Sequence, residues 1–228
     1  MPARTQSRVS PPQQERSART LERIVEATES LLRTQSLETI TVREIVRRAK
    51  CPIASFYARF KSKDDLLPHL YERYDARVIP TMVARVDAID FSAIDLATAV
   101  DLSVDLIIDS YSRNKWLLRE VAIYARRNPG AIGGEMRKNR AGMHSGVAKR
   151  FAQFKSEIRH KDPVRAAEIG IFIVASVARE TILFGAAPHA ASTALTHEAL
   201  RATLVHTLIS FLRTPCASPH LCCLPSRR

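Results

Sequence analysis

Glycine is scarce in this chain, seven among 228 residues. Few positions can therefore take a left-handed backbone or form a cradle of bare amides, so a glycine-rich phosphate loop has nowhere to arise. The long stretches between breakers suit helices instead. Hydrophobic runs are short as well: none reaches the roughly 18 residues that cross a bilayer. The opening stretch MPARTQSRVSPPQQERSAR has no apolar core of the kind that marks a secretion signal. Cysteine is limited to Cys51 and the crowded Cys216, Cys222 and Cys223 of the tail. That is no paired disulfide framework, and it fits a reducing, cytoplasmic setting. Histidines are scattered and no Ser/His/Asp context recurs, so the chain is not expected to be an enzyme, nor to hold a cofactor or a metal. The CASPHLCC stretch of the tail has soft ligands for zinc, but adjacent cysteines near a chain end read as a flexible, oxidisable tail. Acids are outnumbered too, 23 against 35 Lys and Arg, for a formal charge of +12. An excess of that size predicts an anionic partner: nucleic acid, a membrane surface or an acidic ligand.

Helical periodicity fills the space that these absences leave. Residues 1–16, rich in Pro, Gln, Ser and Arg, read as a disordered basic arm. Leu21, Ile24, Val25, Thr28, Leu31 and Leu32 then follow the rhythm of an amphipathic helix. TVRE at 41–44 reads as a capping box, with Thr41 as the cap and Glu44 reaching back. The short helix after it buries Val42, Ile45, Val46 and Ala49. Pro52 suits the first position of a third helix of about two turns. Ser62 and Asp65 signal another cap, ahead of a helix whose inner face carries Leu66, Leu67, Leu70, Tyr71 and Tyr74. Two short helices joined by a tight turn make a helix-turn-helix outline at about 41–60. Beyond it the spacing predicts helices over 90–114, 115–127 and about 135–160, one starting at Asp162 or Pro163, and a last one in THEALRATLVHTLISFLRT. No strand alternation and no internal repeat is present.

On these residues the chain resembles the tetracycline-repressor (TetR) family of bacterial transcriptional regulators over 19 to about 70. The segments that carry the resemblance are TVREIVRRA, ASFY and FKSKDDLL, with Thr41, Tyr57, Phe60 and Lys63 at the family's spacing. The chain departs from the family at three points. Lys50 stands where the turn usually has glycine, which implies a left-handed residue at a cost of roughly 1 kcal/mol. Ser36 replaces a glycine that often ends the first helix, and Pro52 replaces a cap serine. The resemblance implies an all-α fold: an N-terminal three-helix helix-turn-helix DNA-binding domain, at 17–77, and a larger C-terminal helical domain for ligand binding and dimerisation, at 78–213. A flexible tail occupies 214–228.

Residue chemistry gives the same reading independently. Ile53, Ala54, Ser55, Ala58 and Arg59 make a small-faced helix that can enter a major groove, where Ile53 and Ala54 meet thymine methyls and Arg59 reaches guanine or a phosphate. Thr41, Ser55 and Tyr57 are neutral phosphate donors. Lys63 sits at a helix N-terminus that already favours anions. Arg43 and the arm's Arg4, Arg8 and Arg16 add salt-sensitive, sequence-independent affinity. Phe60 reads as core, and Tyr57 as a ring turned inward with its hydroxyl outward.

The resemblance further implies a homodimer through the last two helices. The sequence supports it: Ile169, Ile171, Phe172, Ile173, Val174, Val177, Ile182 and Leu183 ring one helix almost completely, and Leu200, Leu204, Leu208, Phe211 and Leu212 line the other. A small-molecule effector pocket is implied between the fourth and eighth helices. Tyr111, Trp116, Tyr124, Met136, Met143, Phe151, Phe154 and Phe172 are candidate lining residues, each of which also suits plain core packing. Arg179 and Glu180 interrupt an apolar helix and read either as pocket lining or as an interfacial ion pair. From Arg113 to Arg165 there are fourteen Lys or Arg against four acids, a solvated basic face, an anion site or a DNA flank. Asp101, Asp105 and Asp109, four apart, read as a solvated acidic stripe rather than as metal ligands. The function expected is a sequence-specific regulator, a repressor released from a double-stranded DNA operator by a small molecule. The alternative is a ligand-blind architectural DNA binder.

Overall fold

A computed structural model describes residues 13–131, 133, 142, 145–185 and 195–215. All regular structure among them is helical, in two compact units, Met1–Leu70 and Tyr71–Arg228. In the first unit, α1 (Gln13–Leu32) turns Ile24, Val25, Ala27, Thr28, Leu31 and Leu32 inward. Thr28 is a polar group in this core, and its hydroxyl is satisfied by donating to the Ile24 carbonyl at 2.8 Å. Leu37 and Ile40 carry the core across the following loop.

α2 (Val42–Arg48) begins with the capping box read from TVRE. The Glu44 amide donates to Thr41 Oγ1 at 3.2 Å, and Glu44 Oε2 accepts the Thr41 amide at 2.8 Å. The bond from the Thr41 amide, and after it one from the Thr41 hydroxyl, hold the Glu44 carboxyl below its ordinary range. α3 (Ile53–Tyr57) starts one residue later than its proline suggests. Pro52, at φ −62° and ψ 147°, is extended, so it precedes the helix as the cap rather than opening it. Phe56 is fully buried at the centre of the unit and meets Phe60 with ring centroids 5.4 Å apart. Asp65 accepts from the amides of Lys61 and Ser62, both at 2.9 Å, and this fixes the start of α4 (Leu66–Asp87). The division between the units falls inside α4, after Leu70.

The second unit is built on three mutually packed helices: α5 (Leu96–Arg113), α7 (Pro163–Phe184) and α8 (His197–Arg213). Leu96, Ala99, Val100, Val104 and Ile108 of α5 meet Ala167, Ile171, Val174 and Ala178 of α7 and the leucine stripe Leu200, Leu204, Leu208 and Leu212 of α8. At Gly170, α7 lies close against the side chains of α8. A Cβ there would lie 2.5 Å from Leu208 Cδ1 and 3.2 Å from Phe211 Cδ1. α6 (Lys115–Arg127) matches its expected bounds and buries Leu117, Leu118 and Val121.

Two expected helices differ in extent. The stretch 90–114 is split: a single turn at Phe91–Ala93 precedes α5, because two aspartates cap in succession. Asp90 accepts from the Ser92 amide at 2.9 Å, and Asp95 from the Thr98 amide at 2.8 Å. The helix expected to run to about 160 is helical over 145–150 and then tightens into a turn at Phe151–Phe154. Phe151, Phe154 and Ile158 all point into the core there, and the Arg159 amide donates to the Leu212 carbonyl at the end of α8, 2.8 Å away. His160 Nε2 adds a 2.7 Å bond to the neighbouring Phe211 carbonyl. Ending α8 thus takes backbone and side-chain groups that a continuing helix would have kept for itself. α7 opens as expected, with Asp162 as cap and Pro163 in the first position.

Candidate nucleic-acid interface

The turn between α2 and α3 decides how α3 is presented. Lys50 has φ 51°, the left-handed backbone expected where glycine is absent. Its amide bonds the Arg47 carbonyl at 3.2 Å, and the Cys51 amide bonds the Val46 carbonyl at 3.1 Å. This is the paired arrangement of a Schellman helix end, closed on a lysine. Arg23 of α1 donates to the Lys50 carbonyl at 3.2 Å and ties the turn down. Beyond it, α3 leaves Ile53 (44% exposed), Ala54, Tyr57 (56% exposed) and Ala58 open, with Ser55 half-buried. Phe56 alone anchors the helix inward.

The polar candidates divide into anchored and open groups. Thr41 is exposed, but its hydroxyl serves the capping box, donating to Glu44 Oε2 at 2.7 Å. Arg59 is turned back: it donates to the Ser55 carbonyl at 2.6 Å and to Ser17 Oγ of α1 at 2.7 Å. Lys63 donates to the carbonyls of Glu38 and Ile40 at 2.7 and 2.9 Å, closing the loop before α2. Two of its three N–H donors are thus committed. Arg48 bonds Ser30 Oγ at 2.6 Å. Arg43 is exposed, as are Arg47, Lys50 and Lys61, which the sequence reading did not place among the DNA contacts. The signal for Arg47 was present: it follows Arg43 by one helical turn. Of the arm's arginines, Arg16 lies on α1 and is exposed, whereas Arg4 and Arg8 lie outside the described residues. Tyr57 lies edge-on to Phe56, ring centroids 5.4 Å apart, and most of its ring faces solvent rather than the interior.

The second unit holds an apolar pocket of about 50 Å³ between α4, α5 and α7, lined by Met82, Val86, Leu106, Ile107, Tyr111 and Ile171 among others. Of the candidate lining residues that the structure describes, only Tyr111 borders it. Phe151 and Phe154 are core, Trp116 and Tyr124 are half-buried elsewhere, and Phe172 points outward, 66% exposed. Met136 and Met143 lie outside the described residues, as do Cys216, Cys222 and Cys223. Arg179 is exposed, while Glu180 pairs with Arg126 of α6 at 3.5 Å; the Arg126 guanidinium also lies over the Phe184 ring, 5.1 Å from its centroid. The aspartate stripe is paired: Arg201 of α8 bridges Asp101 (3.1 Å) and Asp105 (2.6 Å), and Asp109 takes Arg85 and Arg113. Among the described residues no group of three acids, histidines or cysteines could hold a metal. Nor is any described helix long and apolar enough to cross a membrane.

A trihelical head with a capped α2, a closed turn and a small-faced α3 is a helix-turn-helix DNA-binding domain. Residues 24–70 match the family model described as bacterial regulatory proteins, tetR family. Most of the chain shares its fold with solved regulators. The FadR transcriptional regulator of Bacillus subtilis, solved in complex with stearoyl-CoA, superimposes with a TM-score of 0.57 at 17% identity, over 84% of this chain and 97% of that one. A TetR-family regulator from Mesorhizobium loti gives 0.59 at 17% identity, over 86% and 96%. Salmonella enterica GusR gives 0.53 at 20% identity, over 90% and 99%. No curated protein matches the chain. Residues 24–70 thus carry a DNA-binding domain of the tetR-family kind, and the chain's fold is that of solved transcriptional regulators.

Proposed function

We infer that this regulator is a homodimeric repressor that leaves its operator when a small molecule enters the second unit. The observation that carries the DNA-reading part is the exposed, small face of α3: Ile53 and Ala54 for apolar contact with bases, Ser55 and Tyr57 for the flanking backbone. Phosphate attraction falls to Arg43, Arg47, Lys50 and Lys61, the open cations, and salt should weaken it steeply. Arg59 and Lys63, as anchored residues, position the reading head, and Lys63 keeps one N–H for a phosphate.

Dimerisation is supported by the outward stripe of α7. Ile169, Phe172, Ile173, Ser176 and Val177 recur at helical spacing, and Phe172, Ile173 and Val177 are exposed in the single chain. On α8 the corresponding face is small and polar, with Ala202, Thr203, His206 and Thr207 exposed. Such a surface lets a second helix come close. Two reading heads then address half-sites about one DNA turn, ~34 Å, or a small multiple apart.

Effector release is supported by the apolar pocket and by the chain path. α4 supplies Leu66, Leu67 and Leu70 to the core of the first unit, then Met82 and Val86 to the pocket of the second. A ligand that moves α4 therefore acts on both ends of one helix, and it shifts the equilibrium by its differential affinity for the two states. The test is selection of bound sequences from random duplex DNA at two salt concentrations. A two-fold symmetric consensus, enriched at both salts and bound less tightly at the higher, is expected. No enrichment over bulk competitor would reject the reading.

A further inference from the structure

The apolar pocket opens beside a charged groove. Along α4 and α5 a space of about 210 Å³ is lined by Arg77, Arg85 and Arg113, with Asp109 the one acid among them. It shares Met82, Leu106 and Ser110 with the apolar pocket. The two spaces therefore adjoin along these three side chains. Asp109 joins two of them: Arg85 donates to its Oδ2 at 2.9 Å and Arg113 Nε donates to its Oδ1. Burial pushes the Asp109 carboxyl upward, but the hydrogen bonds from Arg113 and Arg85 outweigh it and hold the group below its ordinary range. It is therefore an anion at neutral pH, the one carboxylate among the three guanidiniums that line the groove. Each guanidinium has five N–H donors, and Asp109 takes one from Arg85 and one from Arg113. Both arginines are at least half exposed, so further donors face the groove.

We propose that this pocket and groove together take an amphipathic organic anion: a carboxylate or phosphate head among Arg77, Arg85 and Arg113, and a compact apolar tail against Met82, Leu106 and Tyr111. The inference rests on the reading of the second unit as ligand-responsive and adds the ligand's chemical class. The pocket is small, and by a measure in which one water needs about 10–15 Å³ it admits only a few heavy atoms at once. A short or slender tail fits this better than a bulky ring system. The 210 Å³ groove suits the larger, charged end.

The full chain is titrated calorimetrically with octanoate, octyl phosphate, octanol and octyltrimethylammonium, each also added to the operator complex. The anions should bind at least about tenfold tighter than octanol, the value of one charge-assisted hydrogen bond, and the cation should bind worst. The stronger of the two anions identifies the head. Arg113→Gln should weaken the anions about tenfold and leave octanol unchanged. Asp109→Asn, which releases both arginines, should strengthen them. Equal affinity for octanol and octanoate, or anion binding indifferent to both substitutions, overturns the proposal. Should Asp109→Asn fail to fold, Arg113→Gln decides, since that side chain is 75% exposed. Octanol that binds and releases operator without any anion preference leaves the repressor reading standing and removes this one. Anion binding through these arginines with the operator complex undisturbed keeps this inference and removes release. No binding by any of the four overturns it.

Discussion

The two units treat their exposed surface in opposite ways. Around α3, polar side chains are committed to holding backbone in place: Arg23 on the turn, Arg59 on α1, Lys63 on the loop before α2. What stays open on α3 and its end is small or flat, Ile53, Ala54, Tyr57 and Ala58, with the cations Arg43, Arg47, Lys50 and Lys61 open around it. In the second unit the polar pairs tie one helix to another, Arg201 to Asp101 and Asp105 and Arg126 to Glu180, and what stays open on α7 is large and apolar. A surface suited to a hydrated polyanion needs rigid shape with modest apolar content, whereas the proposed contact with a second copy needs area to bury.

That contrast can be broken from either side. Phe56→Ala removes the fully buried ring under α3 and should cost about 3–5 kcal/mol, seen as loss of cooperative unfolding of the first unit in calorimetry. Phe172→Glu should leave the single chain as stable as before, because the ring is 66% exposed. It should weaken self-association by about 100-fold, the scale of an interfacial hot spot, measured by sedimentation equilibrium. Acid should act on the caps. Glu44, Asp90, Asp95 and Asp109 all have lowered carboxyls. A group with a depressed folded pKa stabilises fully above its unfolded value and loses that contribution as pH falls through the folded one. Stability is therefore expected to be flat above the ordinary carboxylate range and to fall below it, most simply followed as midpoint temperature against pH. Lys50→Gly relieves the left-handed strain but loosens the unfolded chain, for a net gain of about 0.5 kcal/mol, readable in a denaturant titration.

Much of the head was legible because its signals are local. TVRE, Pro52 and the Ser62 and Asp65 pair each fix backbone within four residues. Lys50 could be read as left-handed only through the resemblance, which puts a glycine at that turn. The roles of Arg59 and Lys63 were not legible, since their partners lie 42 and up to 25 residues away, and one cation looks like another before the fold is known. In the second unit, periodicity found α6, α7 and α8 but overran the end of the helix at 145–150, where the competing claim comes from the carbonyls of Leu212 and Phe211. The leucine stripe of α8 illustrates the same limit. Apolar spacing says that Leu200, Leu204, Leu208 and Leu212 are covered, and only packing reveals that α5 and α7 of the same chain cover them.

The most direct measurement concerns Ala54, exposed on α3 and bonded to the interior only through backbone. Ala54→Glu places a carboxylate on the reading face, and its affinity for the selected operator is compared with its thermal midpoint and sedimentation mass. At least a 100-fold loss of operator affinity, with midpoint and mass unchanged, is the expected result. Full affinity retained by a folded, paired Ala54→Glu protein would contradict the assignment of α3 as the element that reads DNA.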